Sequence, residues 1–357
     1  MKRQLLFLGA LLMCLSVMAQ KLQKNELKQL QAFLNQPAMV ESTNAAALKV
    51  GNMADPSTWE GVKIENGHVV EINWSGKKLA GNLNLTGFSA LTHVNVSNNR
   101  ISSLTVDNNP ALVYLNAGRN RLSNINVAGC PQLLDLRVYR NSLNSLDISG
   151  TPLLQRLNVS SNGLVDLDVS NSNNLTYLNC TNNHIENLSL NGCVKLKTLL
   201  AAYNDITSIT FTGLVSLETM NIDANRLSKL YIQDMGKLST LMASDNHMTE
   251  FAISNCPNLL DLDAAYNDLT TISIDKCPNL AFINLSWNDL TYVNLSDMNF
   301  VQRINLANNQ LLTVDVTFDQ MLRYLNVTGN YNLANLETTG CNSLSMVRGA
   351  VDDVDLQ

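Results

Sequence analysis

Proline is scarce in this chain, 7 of 357 residues, and charged residues make up only 15% against 45% hydrophobic ones. So little proline and charge beside so much apolar material excludes an intrinsically disordered chain. The net charge of -6 is too weak and of the wrong sign for a nucleic-acid partner or for adsorption to an anionic membrane. Beyond residue 17 no apolar run is long enough to cross a bilayer. Catalytic signatures are missing too: there is no G-x-S-x-G, H-E-x-x-H, P-loop or dinucleotide fingerprint. The 4 histidines, His68, His93, His184 and His247, are too dispersed to hold one ion. These absences point away from an enzyme and from a cofactor or metal site.

The first residues, MKRQLLFLGALLMCLSVMAQ, place Lys2 and Arg3 before an apolar run from Leu5 to Val17, with Ala19 just beyond. The pattern predicts a signal peptide over 1–19, and hence an exported protein of the periplasm, cell surface or extracellular space. Cys14 offers a lipoprotein alternative, against which bulky Met13 stands where such a site wants a small residue.

Written in rows of 21, the remainder repeats itself: LTHVNVSNNRISSLTVDNNPA from Leu91, LVYLNAGRNRLSNINVAGCPQ from Leu112, LLDLRVYRNSLNSLDISGTPL from Leu133. Rows then start at Leu154, Leu175, Leu196, Leu217, Leu238, Leu259, Leu280, Val301 and Leu322. The ninth place is always asparagine: Asn99, Asn120, Asn141, Asn162, Asn183, Asn204, Asn225, Asn246, Asn267, Asn288, Asn309 and Asn330. In Leu175-x-x-Leu178-x-Cys180 the period of two predicts a short strand, and the asparagine then satisfies backbone groups where the chain turns inward. Each row is nearly two copies of a shorter unit, since Leu154-x-x-Leu157-x-Val159 is echoed by Leu164-x-x-Leu167-x-Val169. A second extended segment is therefore expected on the other side of each coil, with no room for long helices.

This pattern resembles the leucine-rich-repeat template L-x-x-L-x-L-x-x-N-x-L over nearly all of the chain after residue 20. The fold class it implies is α/β-type but in practice mostly β: a right-handed solenoid with a parallel sheet on its concave side, short strands on its convex side and a helical N-terminal cap. The divisions read as a cap over 20–68, a cap coil over 69–90, twelve repeats over 91–343 and a closing coil over 344–357.

Solenoid ends need closing. NELKQLQAFLNQ sets Leu27, Leu30, Phe33 and Leu34 on one face of a helix with Asn25 as its cap. The W-x-G-V, V-x-x-I-x-W and L-x-G-x-L elements that follow resemble the first coil of plant-type leucine-rich-repeat proteins, without their paired cysteines, so Trp59 and Trp74 read as packing residues. At the other end Val351-x-x-Val354-x-Leu356 reads as a final strand. Cys130, Cys193, Cys256 and Cys277 share the nineteenth place, Cys341 matches it in the last row, and Cys180 faces the core. They read as buried thiols; only Cys256 and Cys277, one coil apart, approach disulfide distance.

Outward places on the concave strands are not fixed by packing, so departures there are candidate contacts. The fifth place is mostly asparagine, with Arg137, Leu200, Met242 and Asp263 as exceptions; the eighth supplies Tyr203, Tyr266 and Trp287, and the third Asp261 and Phe282. Leu200, Tyr203, Met242, Asp261, Asp263, Tyr266, Phe282 and Trp287 fall on five neighbouring coils as an aromatic and acidic patch. A second, basic group comprises Tyr114, Arg119, Arg137, Tyr139, Arg140 and Arg156, where arginines also serve merely to solvate a strand face. Asp205, Asp268 and Asp289 follow the ladder asparagines as a solvated acidic edge or a weak calcium site. Triplets such as Asn95-Val96-Ser97 and Asn158-Val159-Ser160 mimic glycosylation sites as a by-product of the repeat.

The chain resembles exported internalin-like leucine-rich-repeat proteins of bacteria, which implies recognition of a protein at or outside the cell surface through the concave face. A glycan fits the aromatic patch as an alternative, and self-association as a structural protein is a third reading; a monomer is otherwise expected. From Leu196 onward acidic residues outnumber basic ones, which suits a partner with a positive patch.

Overall fold

The structure, a computed structural model, describes residues 22–296 and 298–349. The expected signal peptide, Cys14 and the segment from Val351 onward lie outside these residues. The described residues divide into two compact units, one running up to Leu133 with Ser149–Thr151, the other Leu134–Ile148 with the residues from Pro152 onward.

In the first unit, helix α1 (Lys24–Leu34) buries Leu30, Phe33 and Leu34, while Leu27 is only half-buried. Asn25 does not cap it: the helix begins at Lys24, with Gln23 at the cap position and no side-chain bond there. The first turn is anchored instead by Glu26, a buried carboxylate that accepts the Val69 N–H at 2.8 Å and lies 2.8 Å from His68 Nδ1. That satisfies the charge without exposing it. Phe33 stacks on Trp74 with centroids 5.8 Å apart. Both indoles are buried and donate to carbonyls, Trp59 to Asn52 and Trp74 to Glu60, so they are packing residues of the cap. A short helix α2 (Asn44–Ala47) is capped by the Thr43 hydroxyl.

Strand β1 (Val62–Glu65) pairs antiparallel with β2 (His68–Asn73). A parallel run then follows the sequence period, with Asn73 opposite Asn95 and Asn95 opposite Asn116. On the opposite side Ala80–Asn84 pairs with Arg100–Thr105 as a second, smaller sheet.

The second unit is a parallel-sheet solenoid. Its major sheet takes three residues from each row, from Asp135–Arg137 through Arg156–Asn158 and Tyr177–Asn179 to Tyr324–Asn326 and Met346–Arg348. The register never slips, because the central residue of each strand, such as Leu199, Met220, Leu241, Leu262 and Ile283, must enter the core while its neighbours face out. The echo forms strands in most rows of this unit, in three minor sheets, for example Lys229–Gln233 beside Glu250–Ser254 and Thr271–Asp275, but not at residues 143–148. Between Asn187–Ser189 and Lys229–Gln233 the intervening residues 207–210 form no strand. A groove of about 550 Å³, lined by Ile209, Phe211 and Tyr231 among others, opens beside them.

The ladder asparagines do not bond to one another; each ties its own bend to the coil before. Asn204 Nδ2 donates to the carbonyls of Cys180 and Ala201 at 3.1 and 3.0 Å, and its Oδ1 accepts the Ile185 N–H at 3.1 Å. The same set recurs at Asn225, Asn246, Asn267, Asn288, Asn309 and Asn330, all buried. Replacing Asn204 by Leu leaves the Ile185 N–H without an acceptor, while the Cys180 and Ala201 carbonyls keep the amides of Asn183 and Asn225, and should cost roughly 1–3 kcal/mol, read as a drop in the guanidinium midpoint of unfolding.

Candidate functional site

The backbone singles out the eighth place of the row, where Asn98, Asn182, Asp245 and Asn308 have φ between 54° and 59°. Asparagine, aspartate and glycine tolerate this left-handed conformation; a bulky side chain pays for it. Tyr203 (φ 56°), Tyr266 (φ 52°) and Trp287 (φ 58°) occupy it nonetheless, as do Arg119 and Arg140. Their departure from the row is thus a departure against local energetics, a signal already present in the asparagines at equivalent places.

The fifth-place asparagines have a structural role. Asn158 Oδ1 accepts both the backbone N–H and the hydroxyl of Ser160, at 3.1 and 2.8 Å, and Asn95, Asn179, Asn284 and Asn326 repeat the backbone bond. Asp263 is isosteric and does the same for Ala265, at 3.0 Å, so it departs from the row in charge alone. Leu200 and Met242 cannot make this bond. In Met242's coil Asp223 substitutes from the coil before, accepting the Ser244 N–H at 2.7 Å. Asp223, which the row pattern does not single out, is thereby a structural residue.

Within the second unit six of the patch residues, Met242, Asp261, Asp263, Tyr266, Phe282 and Trp287, lie on three successive coils of one face. Strand pairing sets Met242 beside Asp263 and Asp261 beside Phe282, and Tyr266 stacks on Trp287 with centroids 5.5 Å apart and planes 10° from parallel. Tyr203, Tyr266, Trp287 and Phe282 are 63%, 55%, 50% and 40% exposed. Leu200 and Tyr203 share one coil at the margin, separated from the stacked pair by Ala224 and Asp245 in the eighth-place column. On the major-sheet strands a recess of about 190 Å³ is lined by Asp261, Phe282, Asn284, Arg303, Asn305 and Tyr324, among others. Asp261 is half-buried, and its carboxylate makes no hydrogen bond or ion pair among the described residues. Burial, and then the charge of Asp263, hold its carboxyl above the usual carboxylate range. Burial first, and Asp263 among the charges, raise Asp223 as well.

The basic group falls in both units. Tyr114 and Arg119 belong to the first unit, where Tyr114 stacks with His93 at 6.0 Å. In the second unit Asp135 holds Arg137 at 2.7 Å and Arg156 at 3.9 Å, and Arg156 also covers the Tyr177 ring at 4.3 Å. Those arginines are engaged within the sheet, leaving less for a partner. Asp205 pairs with Arg226 at 2.7 Å, Asp268 lies 3.8 Å from His247 and Asp289 accepts from Gln310 at 2.6 Å, an acidic edge with partners of its own.

All six described cysteines are free thiols. Cys130, Cys193 and Cys341 donate to backbone carbonyls of the preceding coil, those of Val106, Val169 and Val316, so position accounts for them. Burial pushes Cys130 and Cys193 up to about 11 and Cys180 up to about 12. Cys256 and Cys277 donate to the carbonyls of Ser254 and Asp275 in their own coils, at 3.5 and 3.3 Å, and the influence of each thiol on the other lowers Cys277 and raises Cys256.

Two outcomes follow from this geometry. Tyr203→Asn removes a strained backbone and should raise stability by about 1 kcal/mol, seen as a higher melting temperature. Asp261→Asn should melt no lower than the parent at neutral pH, because a carboxylate whose pKa is raised on folding favours the folded state only when protonated. That contribution is complete below the unfolded pKa and is lost as pH rises through the folded one, so the gain from Asp261→Asn should vanish below about pH 4. Melting curves of both proteins from acid to neutral pH measure it.

No family model matches the sequence, and no curated protein does. Solved structures do. The functional domain of InlJ from Listeria monocytogenes, which includes a cysteine ladder, is 28% identical, with 74% of this chain and 56% of that chain covered and a TM-score of 0.56. YopM from Yersinia enterocolitica is 25% identical, covering 75% of this chain and 63% of that one, with a TM-score of 0.57. This chain therefore spans less than two thirds of either. The internalin InlF of Listeria monocytogenes, 18% identical, shares the fold over 86% of this chain and 94% of its own, with a TM-score of 0.59. With its 21-residue coils, parallel sheet and inward asparagines, the chain is an internalin-like leucine-rich-repeat protein, and its fold is that of a protein-interaction module.

Proposed function

We propose that the chain is an exported, non-enzymatic binding protein that recognises a protein partner through the major-sheet face of its second unit, the concave face of the expected solenoid. The observation that carries this is the exposed, stacked Tyr266–Trp287 pair, held at left-handed positions that the scaffold fills more easily with asparagine. Strain retained on an exposed aromatic surface marks contact rather than packing. Aromatics with methionine beside them anchor protein interfaces by burying much area at small entropic cost. Export rests on the first 19 residues, whose charge and apolar run read as a signal peptide.

The test compares the chain from Gln20 with a Tyr203→Asn, Tyr266→Asn, Trp287→Asn variant on arrays of extracellular proteins and of glycans. Binding to a protein that is lost in the variant, at a melting temperature no lower than the parent's, supports the reading. Loss confined to glycans replaces the protein with a sugar, and equal binding by both forms rejects the face. Sedimentation at several concentrations reports self-association through the same residues.

A further inference from the structure

The face just proposed contains one group that the scaffold does not account for. Asp263 has both oxygens engaged, one by the Ala265 N–H and the other by the Asn284 amide at 3.0 Å. Asp223 caps Ser244. Asp261 has no such role, and its carboxylate sits half-buried between Thr240 and Phe282, its strand neighbours, without a hydrogen bond or a cation among the described residues. An ionised group in that position costs the folded state and is relieved only by something from outside.

The surroundings restrict what that is. Phe282, 40% exposed, presents an aromatic surface beside the carboxylate. Asn284 and Asn305 in the recess are already linked, Asn305 Nδ2 donating to Asn284 Oδ1 at 3.0 Å. Arg303 lies on the far side of Phe282, two strands or roughly 10 Å from Asp261 along the sheet, lines the other end of the recess and makes no ion pair with Asp261. The recess of about 190 Å³ has room for one side-chain head group and no more.

We propose that this recess takes a single arginine of the protein partner, its guanidinium forked onto Asp261 and lying against Phe282, while the Tyr266–Trp287 pair covers the adjacent part of the same segment. Charge complementarity with the unpartnered Asp261 carboxylate and the nearby negative charge of Asp263 selects a basic segment. The flat aromatic wall selects arginine, which is planar, weakly hydrated and bidentate toward carboxylates. This proposal rests on the major-sheet face being the binding face.

The probe is a capped Gly-Arg-Gly-Arg-Gly peptide, compared by calorimetry at low ionic strength with its citrulline counterpart, which keeps the shape and loses the charge. The full chain should bind the arginine peptide at least tenfold more tightly than the citrulline one, and roughly 0.5 M salt should weaken it by screening. Asp261→Asn should lose at least tenfold while melting no lower than the parent, a combination that a merely structural aspartate would not give. Equal binding of the two peptides, unchanged binding by Asp261→Asn, or no binding of the arginine peptide overturns the proposal. If, with any of these, the triple asparagine variant still loses a protein partner, the arginine assignment fails and the binding face stands. If the triple variant loses nothing, the face itself is wrong.

Discussion

A chain that bends inward every 21 residues carries backbone donors and acceptors into its own core, and the ninth-place asparagine is what satisfies them. One amide donates to carbonyls of two successive coils and accepts an N–H of the earlier one. No other side chain of that size supplies a two-proton donor and an acceptor at one end. Register, strand spacing and the stacking of leucines follow from this contact, because each coil is fastened to its predecessor at the same point. The apolar core supplies the bulk of the driving force; the asparagine decides where each coil sits.

A scaffold so tightly prescribed makes its exceptions informative. The fifth place is held by asparagine because the turn after the strand needs an acceptor, and the eighth favours asparagine because the backbone there is left-handed. Neither place is a free surface position, although both face outward. Aromatics at the eighth place and aliphatic side chains at the fifth are therefore retained against a local preference, whereas arginines near Asp135 are absorbed into ion pairs of the sheet itself.

Most of the fold is legible in the sequence because it is periodic: strand centres, ladder and minor-sheet echo each recur at fixed places. What escapes is what depends on a single distant partner. Glu26 reads as a solvent-facing helix residue until its partner His68, 42 residues on, is placed beside it. Asn25 looks the better cap for the same reason, since the true anchor of that turn is invisible in the local pattern. The role of Asp223 requires knowing that Met242, one coil later, lacks the usual acceptor. For the candidate site, composition is readable and packing is not: the row names Tyr266 and Trp287, and the asparagines at equivalent places hint at a left-handed backbone, but only the structure shows that the two rings stack.

The missing strand at residues 207–210 bears on how the second unit comes apart. In an array where each coil touches only its neighbours, unravelling advances one coil at a time and its progress is set by the weakest nearest-neighbour coupling. At this coil the minor-sheet pairing is absent on both sides, so the coil is held mainly by its major-sheet strand and by the amides of Asn204 and Asn225. A pulling force or a fraying end would meet a seam there, beyond which the minor strands Lys229–Gln233, Glu250–Ser254 and Thr271–Asp275 tie three successive coils together again.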